Sequence, residues 1–240
     1  MIDLNHKPKD PSVPTTEQLD EAARLMAGER RSYLGGSRLG EECARKLQYE
    51  YEGTPGKPIP AKTQMVFAIG HASEDAVATL LRAAGFVIKT HNESGFQFGF
   101  STAGGRLKGH VDGVVIDGPK EFGPYPFLWE AKAVGNKYWN AIVKHGVAKE
   151  RPVYAGQVAT YQAYMDLTEN PALFSICNRD TGDLAFERMP FDAKLAQECT
   201  DRGVQVLQAS EAGDRIPRPY PDADFFKCKF CDYRGVCWDG

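Results

Sequence analysis

The chain has 240 residues, 42% of them hydrophobic and 25% charged, with 29 Lys or Arg against 32 Asp or Glu and a net charge of −3. That length allows one large domain or two small ones with a proper core, and the charge excludes a globally basic surface, so a nucleic-acid partner has to meet a local basic groove. No run of about 18 apolar residues occurs, so no membrane span is expected, and the opening MIDLNHKPKDPSVPTT lacks the apolar core of a secretory signal.

In chain order, residues 1–16 read as a polar, mobile tail. Residues 16–26 fit a helix with a Thr cap and with Glu17 and Asp20 in its first turn. Residues 37–51, SRLGEECARKLQYEY, fit a second helix with Cys43 near its middle, and GTPGKPIP at 53–60 is a turn-rich connection. Residues 62–84 form the longest helical pattern, closed by Gly85, with Met65, Phe67, Val77, Leu80 and Leu81 suited to packing. Strands follow at 86–91, 95–101, 107–116 and 126–133. A helix is expected from about 137 to 145, another over 153–167, a β-hairpin at 173–178 and 184–190 around the turn TGD, and a last long helix over 192–212. Helices, strands, helix, hairpin and helix in that order predict an α/β fold, a central mixed β-sheet flanked by helices.

Chemistry concentrates in GHVDGVVIDGPKEFGPYPFLWEAKA, residues 109–133. Two apolar runs carry one acid each, Asp112 in the first and Glu130 at the end of the second. Lys132 follows Glu130 by two positions, so on a strand both side chains share a face. Splitting a phosphodiester needs an activated water, charge neutralisation at phosphorus and help for the leaving oxygen. Carboxylates of this kind bind Mg²⁺ or Mn²⁺, the Ala131 carbonyl offers a third oxygen, and Lys132 can orient the water or stabilise the pentacoordinate phosphate. The competing reading is a surface Asp and a simple Glu–Lys ion pair.

These residues resemble the PD-(D/E)XK nuclease superfamily, in its RecB-like branch with the CRISPR-associated iron–sulfur exonucleases and related phage nucleases, over about residues 37–238. GHVDG matches the second motif through Asp112, WEAKA the third through Glu130 and Lys132, and YAGQVATYQAYM the Q-x-x-x-Y element through Gln157 and Tyr161. The resemblance implies a restriction-endonuclease-like core. It also implies that Gln157 and Tyr161, one helical turn apart, face the active site and position the strand. For the first motif IGHASEDAV offers two metal ligands, His71 in the form of the iron–sulfur branch and Glu74 in the G-x-x-x-E form of phage-type exonucleases. Residues 17–240 are then one nuclease domain, with N-terminal helices at 17–60, the core at 61–190 and a closing segment at 191–240.

Three of six cysteines fall in the last 13 residues, as Cys228-x2-Cys231-x5-Cys237. Without an export signal, clustered cysteines point to metal rather than disulfides, and Cys43 is the best fourth ligand. One Cys before the core and three after it resembles the iron–sulfur branch, which implies a 4Fe–4S cluster joining the N- and C-terminal segments; Zn²⁺ at the same four thiolates is the alternative. Cys177 and Cys199 read as core residues.

Arg38, Arg45, Lys46, Lys137, Lys144, Lys149 and Arg151 offer phosphate contacts, and Tyr138 and Trp139 offer stacking surfaces for single-stranded bases. No recognition-helix or finger pattern indicates sequence-specific readout. The implied function is a Mg²⁺/Mn²⁺-dependent DNA nuclease, an exonuclease on single-stranded DNA or DNA ends, in the cytoplasm of a prokaryotic or phage-infected cell. The alternatives are an endonuclease or flap nuclease of the same superfamily, or a DNA-binding accessory subunit of a repair or CRISPR-adaptation complex.

Overall fold

The computed structural model describes residues 12–26 and 31–239. Most of the tail expected at 1–16 lies outside the described residues. Helix α1 (Thr16–Met26) opens on a reciprocal box: the Thr15 N–H donates to the Gln18 side chain at 2.8 Å and the Gln18 N–H to the Thr15 hydroxyl at 3.2 Å. A short strand β1 (Leu34–Gly35) and a 3₁₀ turn precede α2 (Ala44–Glu52). The second helix thus begins seven residues later than the pattern suggested. Gly40 explains this: a Cβ there would meet the Val153 carbonyl oxygen at 2.7 Å, so residues 36–43 lie as a loop pressed on a neighbouring helix.

Helix α3 (Ala61–Ala83) has its N-terminus capped by Asp20 of α1, which accepts the Ala61 N–H at 2.7 Å. Only Val77, Ala78 and Leu81 are buried in α3, whereas Met65, Phe67 and Leu80 are exposed. Its buried positions all fall in the C-terminal half, against the sheet.

The strands that follow are β2 (Val87–Lys89), β3 (Gly99–Thr102), β4 (Leu107–His110), β5 (Gly113–Asp117) and β6 (Phe127–Val134). The run 107–116, expected as one strand, divides at Val111–Asp112. β4 joins a small sheet in the order β1-β4-β3, and β5 joins the main one, β2-β5-β6-β7-β8, with β7 (Ala172–Asn178) and β8 (Leu184–Met189). The Val111 N–H donates to Phe98 and its carbonyl accepts from Gln97, which ties the division to the small sheet. Within the main sheet only β6 and β7 run parallel, with Glu130 opposite Phe174 and Lys132 opposite Ile176.

Helices α4 (Asn136–His145), α5 (Val147–Glu150) and α6 (Pro152–Tyr164) cross from β6 to β7, and α7 (Ala193–Ala212) follows β8. α6 carries Pro at its first turn and is buried from Ala155 to Gln162, as expected of a helix enclosed on all sides. One face of the sheet packs Leu128, Phe174 and Ile176 against Val158 of α6, and the other packs Phe127 and Trp129 against Val77 and Leu81 of α3. Full burial of side chains such as these stabilises by about 1.5–3 kcal/mol each. A third cluster, Leu39, Leu47, Cys199 and Val206, joins the 36–43 loop and α2 to α7. The α/β class and the mixed, helix-flanked sheet of a restriction-endonuclease-like core are therefore present. No helix among the described residues is long and apolar enough to cross a membrane.

The cysteine expectation is corrected. The C-terminal segment, with α8 (Phe226–Lys229) and α9 (Arg234–Trp238), does return to α2, and Cys43, Cys228, Cys231 and Cys237 line one cavity. Among the described residues, however, no group of three or more His, Cys, Asp or Glu is arranged to hold a metal ion, and all six cysteines are free. Neither a 4Fe–4S cluster nor a Zn²⁺ site is supported. Other contacts hold the segment down. Tyr233 stacks on Tyr49 at 5.4 Å, Arg45 donates to the Ile216 carbonyl at 3.0 Å, and Arg218 donates to the Cys237 carbonyl at 2.9 Å through Nε. Gln48 accepts from the Ile216 N–H at 3.0 Å and donates to the Asp214 carbonyl at 2.6 Å. Burial pushes the Cys43 and Cys231 thiols up.

Candidate active site

Asp112 sits in the two-residue joint between β4 and β5. The β5–β6 ladder ends at the pair Gly113–Trp129, and one step further the Asp112 carboxylate takes the place of a backbone acceptor, receiving the Ala131 N–H at 2.8 Å. The acid is therefore fixed by the strand that carries its partners.

Glu130 is 0% exposed. Its Oε1 accepts from the Lys132 ammonium and from Gln157 Nε2 of α6 at 2.5 Å, while Oε2 is buried without a partner. Burial, with Asp112 alongside, pushes Glu130 up to about 8. Lys132 stands 3.9 Å from Asp112 Oδ2. Burial alone would lower its ammonium, but Glu130 and then Asp112 outweigh that and keep it above the ordinary lysine range. The cation is thus lodged between two acids by the i, i+2 spacing on β6 and the end of β5.

Gln157 and Tyr161 are both buried on α6, as the one-turn spacing requires. Burial, and next the Glu130 charge, hold the Tyr161 phenol well above its usual range, against the opposing effect of the Ser37 hydroxyl. Ser37 was missed by sequence reasoning because it comes from the 36–43 loop, 124 positions from Tyr161 in chain numbering, with no local spacing to mark it. Tyr154 was missed as well: its ring lies 5.8 Å from Lys132 Nζ.

The two first-motif candidates separate. The His71 side chain is 82% exposed, whereas that of Glu74 is 28% exposed. Burial and then Asp112 push Glu74 up to about 7, so Glu74 belongs to the electrostatic field of the site. His71 lies 3.9 Å from Glu74 at its margin.

The expected Mg²⁺ or Mn²⁺ centre is also corrected. Asp112, Glu130, Ala131 and either His71 or Glu74 were expected to supply the ligands. Among the described residues no such set of three acids or histidines is grouped to hold an ion. The physical reason is local: Lys132 and Gln157 already engage Glu130, and the Ala131 N–H and Lys132 already engage Asp112. Glu130 Oε1 and Asp112 Oδ2 are thus taken by protein donors.

Of the proposed nucleic-acid contacts, Arg38 is tied to Glu50 through two bonds of 2.9 and 2.8 Å, and Lys46 to Glu41 at 2.7 Å. Arg151 lies over the exposed Tyr138 ring at 3.6 Å and reaches Tyr154 at 5.9 Å. Trp139 packs against the main core. Lys137, Lys144 and Lys149 are exposed.

No family model and no curated protein matches the chain. Solved structures do match. The alkaline exonuclease LHK-Exo from Laribacter hongkongensis is 18% identical, over 82% of this chain and 94% of that one, at a TM-score of 0.55. The same enzyme in complex with dAMP matches over 77% and 90% at 0.53, again at 18% identity. A third structure, SSO0001, is 14% identical over 92% and 95% at a TM-score of 0.46, too low to add weight. The acid–lysine joint is therefore carried on the fold seen in the alkaline exonuclease LHK-Exo.

Proposed function

We propose that this chain is a DNA nuclease that hydrolyses phosphodiester bonds, acting as an exonuclease on single-stranded DNA or DNA ends. The observation that carries the reading is the Lys132 ammonium held between Glu130 and Asp112 where β5 parts from β6. In this reading Asp112 takes a proton from the attacking water. The water oxygen bonds to phosphorus as the bond to the leaving oxygen breaks and that oxygen takes a proton from solvent, and Lys132 offsets the charge that builds on the phosphoryl oxygens. Glu130 and Gln157 position Lys132, and Tyr161 with Ser37 shapes the adjoining wall. Glu74, within the G-x-x-x-E form, is the first-motif residue and His71 is not. LHK-Exo was solved with dAMP, which agrees with a deoxynucleotide strand as substrate. The cytoplasm of a prokaryotic or phage-infected cell goes with that substrate.

The test is incubation of end-labelled single- and double-stranded DNA with the wild type, Lys132→Ala and Glu130→Ala, each in Mg²⁺, Mn²⁺ and EDTA. The wild type shortens DNA from its ends, and each variant loses about 10²–10³-fold in rate while keeping its circular-dichroism spectrum. Undiminished cleavage in either variant removes the reading.

A further inference from the structure

A cavity of about 590 Å³ opens between α2, the first turn of α4 and residues 218–238, within the roughly 300–1,000 Å³ of small-ligand sites. Its described lining carries six Lys or Arg side chains, of which Lys46 pairs with Glu41, Lys227 with Glu42 and Arg234 with Asp224, on a chain whose net charge is −3. Rings crowd the same place. Phe226 and Phe230 meet edge to face at 5.6 Å yet stand 71% and 76% exposed, and Tyr138 is exposed on the α4 side. Open aromatic faces in a field of cations do not serve internal packing. They are the pair of features that takes unpaired bases and phosphates together.

A chain of side-chain contacts runs from the cavity rim to the acid site. Tyr138 at that rim lies under Arg151, Arg151 reaches Tyr154, and Lys132 stands over the Tyr154 ring. Rings and cations therefore alternate from Lys132 to the cavity.

We infer that the cavity and this track form a groove for unpaired single-stranded DNA, with bases on Phe226, Phe230 and Tyr138 and phosphates on Lys137 and the neighbouring cations, leading the strand to Lys132. The delivery end rests on the nuclease reading; the binding does not.

The test uses the full chain and DNA with a hydrolysis-resistant phosphorothioate backbone, so that binding is read with little cleavage. A fluorescein-labelled oligothymidylate of about 20 nucleotides exceeds the ~4–16 nucleotides of a single-strand site, and a duplex of equal length serves as the comparison, both by anisotropy. The strand binds at least about ten-fold tighter than the duplex. Phe226→Ala with Phe230→Ala weakens strand binding about ten-fold, leaving duplex affinity and thermal melting unchanged, and Lys137→Glu weakens strand binding several-fold. Equal affinity for strand and duplex overturns the proposal, and so does a double variant that binds the strand like the wild type, the result expected if the ring pair meets a protein. Strand binding as described without cleavage by the wild type defeats the nuclease reading and leaves the groove; cleavage without strand preference does the reverse.

Discussion

The acid joint and the cysteine-bearing C-terminal segment are both marked by residue spacing, and only at the first does that spacing bring side chains into hydrogen-bonded contact. At the joint, spacing acts through a ladder. Two positions on β6 put Glu130 and Lys132 on one face, the pairing with β7 holds that face toward α6, and the end of β5 aims Asp112 at the next free N–H. In the segment at 218–239 the chain turns through α8 and α9, helices of four and five residues, and no ladder fixes the side chains. Three thiols within ten residues therefore share a cavity without sharing a ligand geometry. Spacing is informative where backbone hydrogen bonds make it periodic.

The contrast can be tested from both ends. The largest effect belongs to Lys132→Ala, which lowers cleavage by about 10²–10³-fold; wild-type rates would place the chemistry elsewhere. Gln157→Leu comes next. It removes the 2.5 Å donor to Glu130, lets the Lys132–Glu130 pair drift, and lowers kcat by about ten-fold with a stability loss of about 1–2 kcal/mol. An unchanged kcat would show that Lys132 needs no support from α6.

Glu74→Gln tests the field around Asp112. The Glu74 carboxyl rises from 4.5 to about 7 on folding, so the folded state binds the extra proton. The stability tied to that proton is full below about pH 4.5 and is lost as pH rises through about 7. The Gln variant avoids that loss. In EDTA its melting temperature exceeds the wild type by about 2–4 °C at pH 8 and matches it at pH 4; equal melting at both would detach Glu74 from the site. The smallest effect is expected from Cys231→Ser, which shifts melting by less than about 2 °C with no iron or zinc by elemental analysis. Stoichiometric metal in the wild type and unfolding of the variant would reverse the correction.

Much of the fold was legible for the same physical reason. The mixed sheet, the hairpin around Gly182 and the helices α3, α6 and α7 follow from periodicity and turn residues close to their expected bounds. Asp112, Glu130, Lys132, Gln157 and Tyr161 stand together as their order along the chain implied. The division of residues 107–116 between two sheets was not legible, because Val111 and Asp112 are compatible with a continuous strand and the break depends on distant Phe98 and Gln97. Nor was the shortened α2, which depends on how closely Gly40 and Gly156 approach. Choosing between His71 and Glu74 needed the direction of α3 over the sheet, and Ser37 and Tyr154 needed tertiary contacts that no window of sequence contains.

The joint at Val111–Asp112 has a mechanical consequence. Asp112 belongs to neither sheet: its backbone follows β4 of the smaller, while its carboxylate is held by the Ala131 N–H of the larger, so both sheets meet at one residue. Whatever steadies β1, β3 and β4, including the stacking of Phe100 on Tyr164 at 4.5 Å, also sets the reach of the acid, and a load applied there would retune it with no change among the residues that do the chemistry.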